Sequence, residues 1–144
     1  EISPFDFINY LQKKDVTLSL PIIDTKNNFM NFRKWILFDK LINGPFGTME
    51  PPKTQTSILP QILVVPMLSF DKDLYRLGYG GGYYDKSIKI LKKHFKKERK
   101  FFITIGLAYS IQEEKKIPKE KHDIKLDYII TEKEVLSNFN QKKY

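Results

Sequence analysis

The densest run of residues able to do chemistry is Arg76-Leu77-Gly78-Tyr79-Gly80-Gly81-Gly82-Tyr83-Tyr84-Asp85. Four of the chain's seven glycines fall within five positions there, directly ahead of a helical pattern. Without a Cβ, such a run can turn left-handed and aim backbone amides at an anion. A helix N-terminus behind it adds N–H groups and partial positive charge. Arg76 ahead of the run and Asp85 behind it are the charges that a phosphate and its metal ion require. The same run also suits a tight turn with aromatic packing, in which Tyr83 and Tyr84 are core residues.

Two common phosphate motifs do not fit. The dinucleotide fingerprint needs a third glycine where Tyr83 stands, and the Gly-Lys-Ser/Thr ending of a P-loop is absent. Nucleophilic triads are poorly supplied: there is no cysteine, no Gly-x-Ser-x-Gly elbow, and only His94 and His122 as histidines. Asp85 stands where loop becomes helix, so it can cap that helix or hold a magnesium ion. Asp123, in a loop after Pro118 and His122, is a second candidate carboxylate, and spacing leaves their pairing open.

The elements that must position these residues can be read from pattern. Ser3-Pro4-Phe5-Asp6 predicts a helix start with Ser3 as cap, followed by Phe5, Ile8 and Leu11 at helical spacing. Residues 16–23 alternate as a strand with Pro21 at its end or edge, and residues 29–38 read as one or two short strands. Residues 43–52 hold too many prolines and glycines for regular structure. Residues 62–65 are a continuous apolar run, expected as a strand buried on both faces of a parallel sheet. Residues 85–94 predict a helix with Ile88, Leu91 and Phe95 on one face; residues 101–107 and 128–131 predict strands. Thr131-Glu132-Lys133-Glu134 reads as the cap of a short last helix. The alternation implies an α/β fold: one domain over 1–144, an open, mostly parallel sheet with helices on both faces. In such sheets ligands bind beyond the carboxyl ends of strands, where the glycine loop is expected.

Composition narrows the function classes. The chain has 144 residues, 41% apolar and 14% aromatic, which suits a folded domain. It carries no membrane-span or signal-peptide pattern, and its lack of cysteine agrees with a reducing, cytoplasmic setting. The first residue is Glu1, so a processed, trimmed or partial chain is expected. The formal net charge is +8, but seven lysines and one arginine against one glutamate in residues 86–100 account for nearly all of it. A solvated lysine face is the simpler reading, and nucleic-acid binding the weaker one.

Beyond spacing, the chain resembles the 5-formyltetrahydrofolate cyclo-ligase family. The likeness runs through Leu63-Val64-Val65-Pro66, Phe70-Asp71, the stretch from Tyr75 to Asp85, and Ile105-Gly106-Leu107-Ala108-Tyr109. It continues through Gln112, Pro118, His122-Asp123, Leu126-Asp127 and Thr131-Glu132, with weaker echoes at Glu1-Ile2, Leu20-Pro21, Gly44-Pro45-Phe46-Gly47 and Glu50-Pro51. The resemblance implies an ATP- and Mg2+-dependent ring closure of 5-formyltetrahydrofolate. In it, Arg76, Leu77, Gly78, Tyr79, Gly80, Gly81, Gly82, Tyr83 and Tyr84 bind ATP, with Arg76 and Tyr83 catalytic. Glu1, Tyr79, Gly80, Gly81, Gly82 and Tyr83 meet the folate, Asp85 and Asp123 the metal. Met30, Phe32 and Trp35 are expected in the core or at the pterin. The expected partners are small molecules, with no nucleic acid or membrane, and the expected state is a monomer. Three departures stand out: the family's N-terminal basic helix has no counterpart here, Met67 and Ser69 replace the usual small residues, and Lys86 replaces arginine. A non-catalytic nucleotide- or folate-binding relative is the alternative.

Overall fold

A computed structural model describes residues 2–141, the side chains of the last two excepted. The chain divides into two compact units, Ser3–Pro60 and the residues from Gln61 onward together with Ile2.

The first unit opens with helix α1 (Phe5–Lys13). Its N-cap is Pro4, with no side-chain cap bond, so Ser3 is not the predicted cap. The fixed φ of proline suits a helix start and needs no donor there. None of its residues is fully buried. Strand β1 (Ser19–Asp24) pairs antiparallel with β2 (Phe29–Lys34) from Ser19 opposite Lys34 to Asp24 opposite Phe29. The turn between them is tied by Asp24, whose carboxylate accepts the amides of Lys26 and Asn27 and the Asn27 side chain. Those bonds hold the Asp24 pKa below the ordinary carboxylate value, the Asn27 side chain contributing most. The loop zone is more regular than its prolines suggested. Ile42–Asn43 (β3) pairs with Met49–Glu50 (β4) around a 3-10 turn at Pro45–Gly47, because only two residues per strand must escape the prolines. Glu50 is buried and accepts the Ile23 amide at 2.8 Å, joining β4 to β1. Met30, Phe32 and Trp35 are buried in this unit, which is the core placement the sequence allowed.

The second unit is built on a four-stranded sheet in the order β10-β9-β8-β5, formed by β5 (Ile62–Val65), β8 (Ile103–Leu107), β9 (Tyr128–Ile130) and β10 (Val135–Ser137). Strands β5, β8 and β9 are parallel and β10 is antiparallel, so the fold is α/β with a mostly parallel central sheet, as expected. A small hairpin, β6 (Ser69–Phe70) and β7 (Arg76–Leu77), and helix α2 (Tyr83–Lys97) lie in sequence between β5 and β8. Helix α2 buries Ile88, Leu91 and Phe95, the face its periodicity predicted, and Phe95 stacks on Phe102.

Strand β5 is not buried on both faces: Leu63 and Val65 are buried, whereas Ile62 and Val64 are exposed. It is an edge strand, and α2 is the one α-helix of this unit among the described residues. Thr131 does not open a helix. Its hydroxyl accepts the amides of Lys133 and Glu134, and its own amide donates to the Glu134 carbonyl, closing a turn that leads into β10. Capping and turn chemistry use the same hydroxyl-to-amide bonds, so sequence could not separate them.

Candidate functional site

The glycine stretch is the connection from β7 to α2. Gly80 has φ +86° and Gly82 +65°, both in the left-handed region that favours glycine. Gly82 is the N-cap of α2, and the first helical bond runs from the Lys86 amide to its carbonyl. The positive end of a 15-residue helix therefore faces the loop. Asp85 lies in the first helical turn, three residues past Gly82, so it is not the cap.

Arg76 and Asp85, at the two ends of the loop, clasp each other. Arg76 Nη1 donates to Asp85 Oδ1 at 3.1 Å and Nη2 to Oδ2 at 2.9 Å. The Arg76 side chain is 5% exposed and that of Asp85 14%. Each charge is enclosed, which is tolerable because the pairing is bidentate. Asp85 Oδ1 also accepts the Ile124 amide at 3.0 Å. Arg76 Nε is buried and has no hydrogen-bond acceptor. The guanidinium carbon lies 5.9 Å from the centre of the Tyr84 ring, at the outer range of a cation–π contact.

The structure thus brings Arg76, Tyr84 and Asp85 into contact and places the backbone next to Asp123 against Asp85. Asp123 itself accepts the Glu120 amide at 2.7 Å through Oδ2. Tyr79 is 71% exposed beside the loop, Leu77 is also exposed, and Tyr83 is half-buried at the start of α2. Gly78 and Gly81 complete the turn. Glu1 lies outside the described residues. For magnesium the donors fit in kind: carboxylate oxygens are hard ligands, and this ion takes few protein carboxylates together with phosphate oxygens and water. No cluster of three or more His, Asp or Glu able to hold a metal occurs among the described residues, so Asp85 and Asp123 would serve only as part of such a mixed shell.

Several motif residues prove to be structural. Asp71 is buried and its carboxylate accepts the amides of Asp73, Tyr75 and Ile117, fixing the β6–β7 hairpin and the 113–117 segment. Asp127 accepts both the amide and hydroxyl of Thr104, tying β9 to β8. The Gln112 side chain donates to the carbonyls of Met67 and Leu68. Glu132 accepts the amide and hydroxyl of Ser110; these bonds, the hydroxyl's first, hold its pKa below the ordinary carboxylate value. No local signal distinguishes such acids from ligands, because each has a partner distant in sequence: the Ile117 amide for Asp71, Thr104 for Asp127 and Ser110 for Glu132. Tyr75 has Lys119 and Lys125 near its ring at 4.1 and 5.3 Å, a contact that no sequence pattern announces.

A glycine-rich loop between a short strand and a helix N-terminus, bracketed by an arginine–aspartate pair, in a protein built on a mostly parallel sheet, defines an α/β protein. The comparisons specify the class. The model of the 5-formyltetrahydrofolate cyclo-ligase family matches residues 1–132, and the chain belongs to that family of ligases. It is 30% identical over 131 residues to the 5-formyltetrahydrofolate cyclo-ligase of Haemophilus influenzae, covering 88% of this chain and 67% of that one. The Escherichia coli K12 enzyme of the same name is 32% identical over 100 residues, covering 67% of this chain and 52% of that one. Among solved structures, the 5,10-methenyltetrahydrofolate synthetase of Aquifex aeolicus superposes with a TM-score of 0.73 at 29% identity, over 100% of this chain and 69% of that one. The chain thus spans roughly half to two thirds of these relatives' lengths.

Proposed function

We propose that the chain carries out ATP- and Mg2+-dependent closure of 5-formyltetrahydrofolate to 5,10-methenyltetrahydrofolate, releasing ADP and phosphate. The observation that carries this reading is the loop from Arg76 to Asp85, with its bidentate ion pair at the N-terminus of α2. A formamide oxygen is a poor leaving group. Attack of that oxygen on the γ-phosphorus of ATP expels ADP and turns it into a phosphate ester; the second folate nitrogen then attacks the activated carbon and phosphate leaves with the oxygen. The demand on the protein is alignment and stabilisation of spread negative charge. Amides of the loop and the start of α2 would hold the nucleotide phosphates, and Arg76 would neutralise charge on the transferred group. Tyr83 would position the formyl group, and the exposed ring of Tyr79 offers the folate a stacking face. Asp85 and Asp123 would hold magnesium, which supplies charge neutralisation at the phosphate oxygens. Glu1 is proposed to meet the donor-rich edge of the pterin.

The ligands in this reading are small molecules, with neither nucleic acid nor membrane as partner, and the protein works as a cytoplasmic monomer. No helix among the described residues is long and apolar enough to cross a membrane. Incubation with ATP, magnesium and 5-formyltetrahydrofolate should produce methenyl absorbance. Absence of that growth, both for this chain and for one extended at its N-terminus, would overturn the proposal. Saturable heat on titration with nucleotide or folate, without turnover, would instead identify a binding relative.

A further inference from the structure

Taking Asp85 as a cation ligand, on the reading above, we propose that its pairing with Arg76 is exchangeable. Arg76 keeps divalent cations off Asp85 until phosphate groups draw the guanidinium away, so the site takes metal together with polyphosphate and not before it. Both Asp85 oxygens are occupied by Arg76 nitrogens, at 3.1 and 2.9 Å. A magnesium ion needs one of those oxygens at about 2.1 Å. It would then sit beside a guanidinium that is 5% exposed, and two unscreened cations on one carboxylate repel strongly. Arg76 also has somewhere to go. Its Nε lacks an acceptor, its fork matches phosphate geometry, and the loop and helix start are its sequence neighbours. The exchange keeps every charge paired: one Arg–Asp pair becomes an Arg–phosphate pair and an Asp–cation pair. The Ile124 amide, bonded to Oδ1 at 3.0 Å, keeps Asp85 in place while the partner changes.

The test uses Mn2+ and inorganic tripolyphosphate, with thermal unfolding and calorimetric titration as readouts. The wild-type chain should show no Tm rise with Mn2+ alone, and its affinity for tripolyphosphate should rise about tenfold when Mn2+ is present, a coupling of ordinary size. Arg76→Gln should gain a Tm rise with Mn2+ alone, and the Arg76→Gln/Asp85→Asn double variant should lose it. A Mn2+-alone stabilisation of wild type that Asp85→Asn abolishes would overturn the proposal. So would the absence of coupling in wild type, or an Arg76→Gln chain indifferent to Mn2+. Should Arg76→Gln fail to fold, the two wild-type measurements still decide. These outcomes are independent of turnover: exchange can hold in a chain that forms no methenyl product, and an active chain can bind metal first.

Discussion

At the scale of single residues, Asp71 and Asp85 show how one residue type serves two ends. Asp71 is 2% exposed and its carboxylate is wholly committed to backbone amides from two segments. Asp71→Ala leaves three amides without their acceptor and should destabilise the fold by on the order of 3 kcal/mol, measured by urea unfolding. A change below about 1 kcal/mol would mean that water replaces those bonds. Asp85 faces a cation as well as an amide. Asp85→Ala strands the enclosed Arg76 charge, a loss of about 3–5 kcal/mol for a buried pair, so inactivity of that variant would say little about metal. Asp85→Asn is the milder change: it keeps the side-chain shape and one oxygen acceptor, although it too removes the charge that balances Arg76. Turnover should vanish while far-ultraviolet dichroism stays native; retained turnover would reduce Asp85 to a fastener of the loop. Both acids were visible in sequence as parts of motifs. Their distant backbone partners were not, because Ile117 and Ile124 contribute only amides, which carry no sequence signal.

At the scale of elements, the glycine loop and the Thr131 turn invite different tests. Gly82 caps α2 with φ +65°, where a side chain costs about 1–2 kcal/mol; Gly78 has neither a positive φ nor any atom within 4 Å of an added Cβ. Gly82→Ala should therefore lower stability by about 1–2 kcal/mol, and Gly78→Ala should leave the melting curve unchanged. Loss of turnover in stable Gly78→Ala would mark a close approach of ligand to that backbone; full activity would place the ligand elsewhere. The turn at Thr131 carries Glu132, whose two oxygens hold Ser110. Since the Glu132 pKa lies below its ordinary value of 4.5, its contribution is present above that value and is lost as pH falls through the lower, folded one. Amide exchange at Ser110 should accelerate relative to the sheet over that acid range, and Glu132→Gln should flatten the dependence. Most of the sheet and α2 were legible because burial imposes a period. The β6–β7 hairpin escaped notice because strands of two residues are too short to show one, and β10 because Thr131-Glu132-Lys133-Glu134 ahead of it carries the signal of a helix cap.

At the scale of the whole molecule, the dominant feature is an excess of positive charge concentrated on one helix. Of the formal net charge of +8, seven lysines and one arginine against one glutamate lie in residues 86–100. Within α2, Lys89, Lys93, Lys96 and Lys97 are exposed, while Ile88, Leu91 and Phe95 face the core. Such lysines lie on the solvent face of an amphipathic helix and need no partner to explain them. Their field still reaches an approaching polyanion, over about 8–10 Å at moderate salt. Replacing these four lysines with glutamine should leave stability within about 0.5 kcal/mol, as for most surface changes. Under the proposed activity, kcat/KM for the nucleotide at low salt should fall while kcat is unchanged, and its decline with added salt should become shallower. Nucleic-acid binding makes a different demand. It would appear as retention of RNA or DNA that the four substitutions abolish and that weakens steeply with salt, because each phosphate contact releases counterions. If that retention appears and the kinetic salt dependence does not change, the lysine face serves a nucleic acid and steering of the nucleotide is excluded as its role.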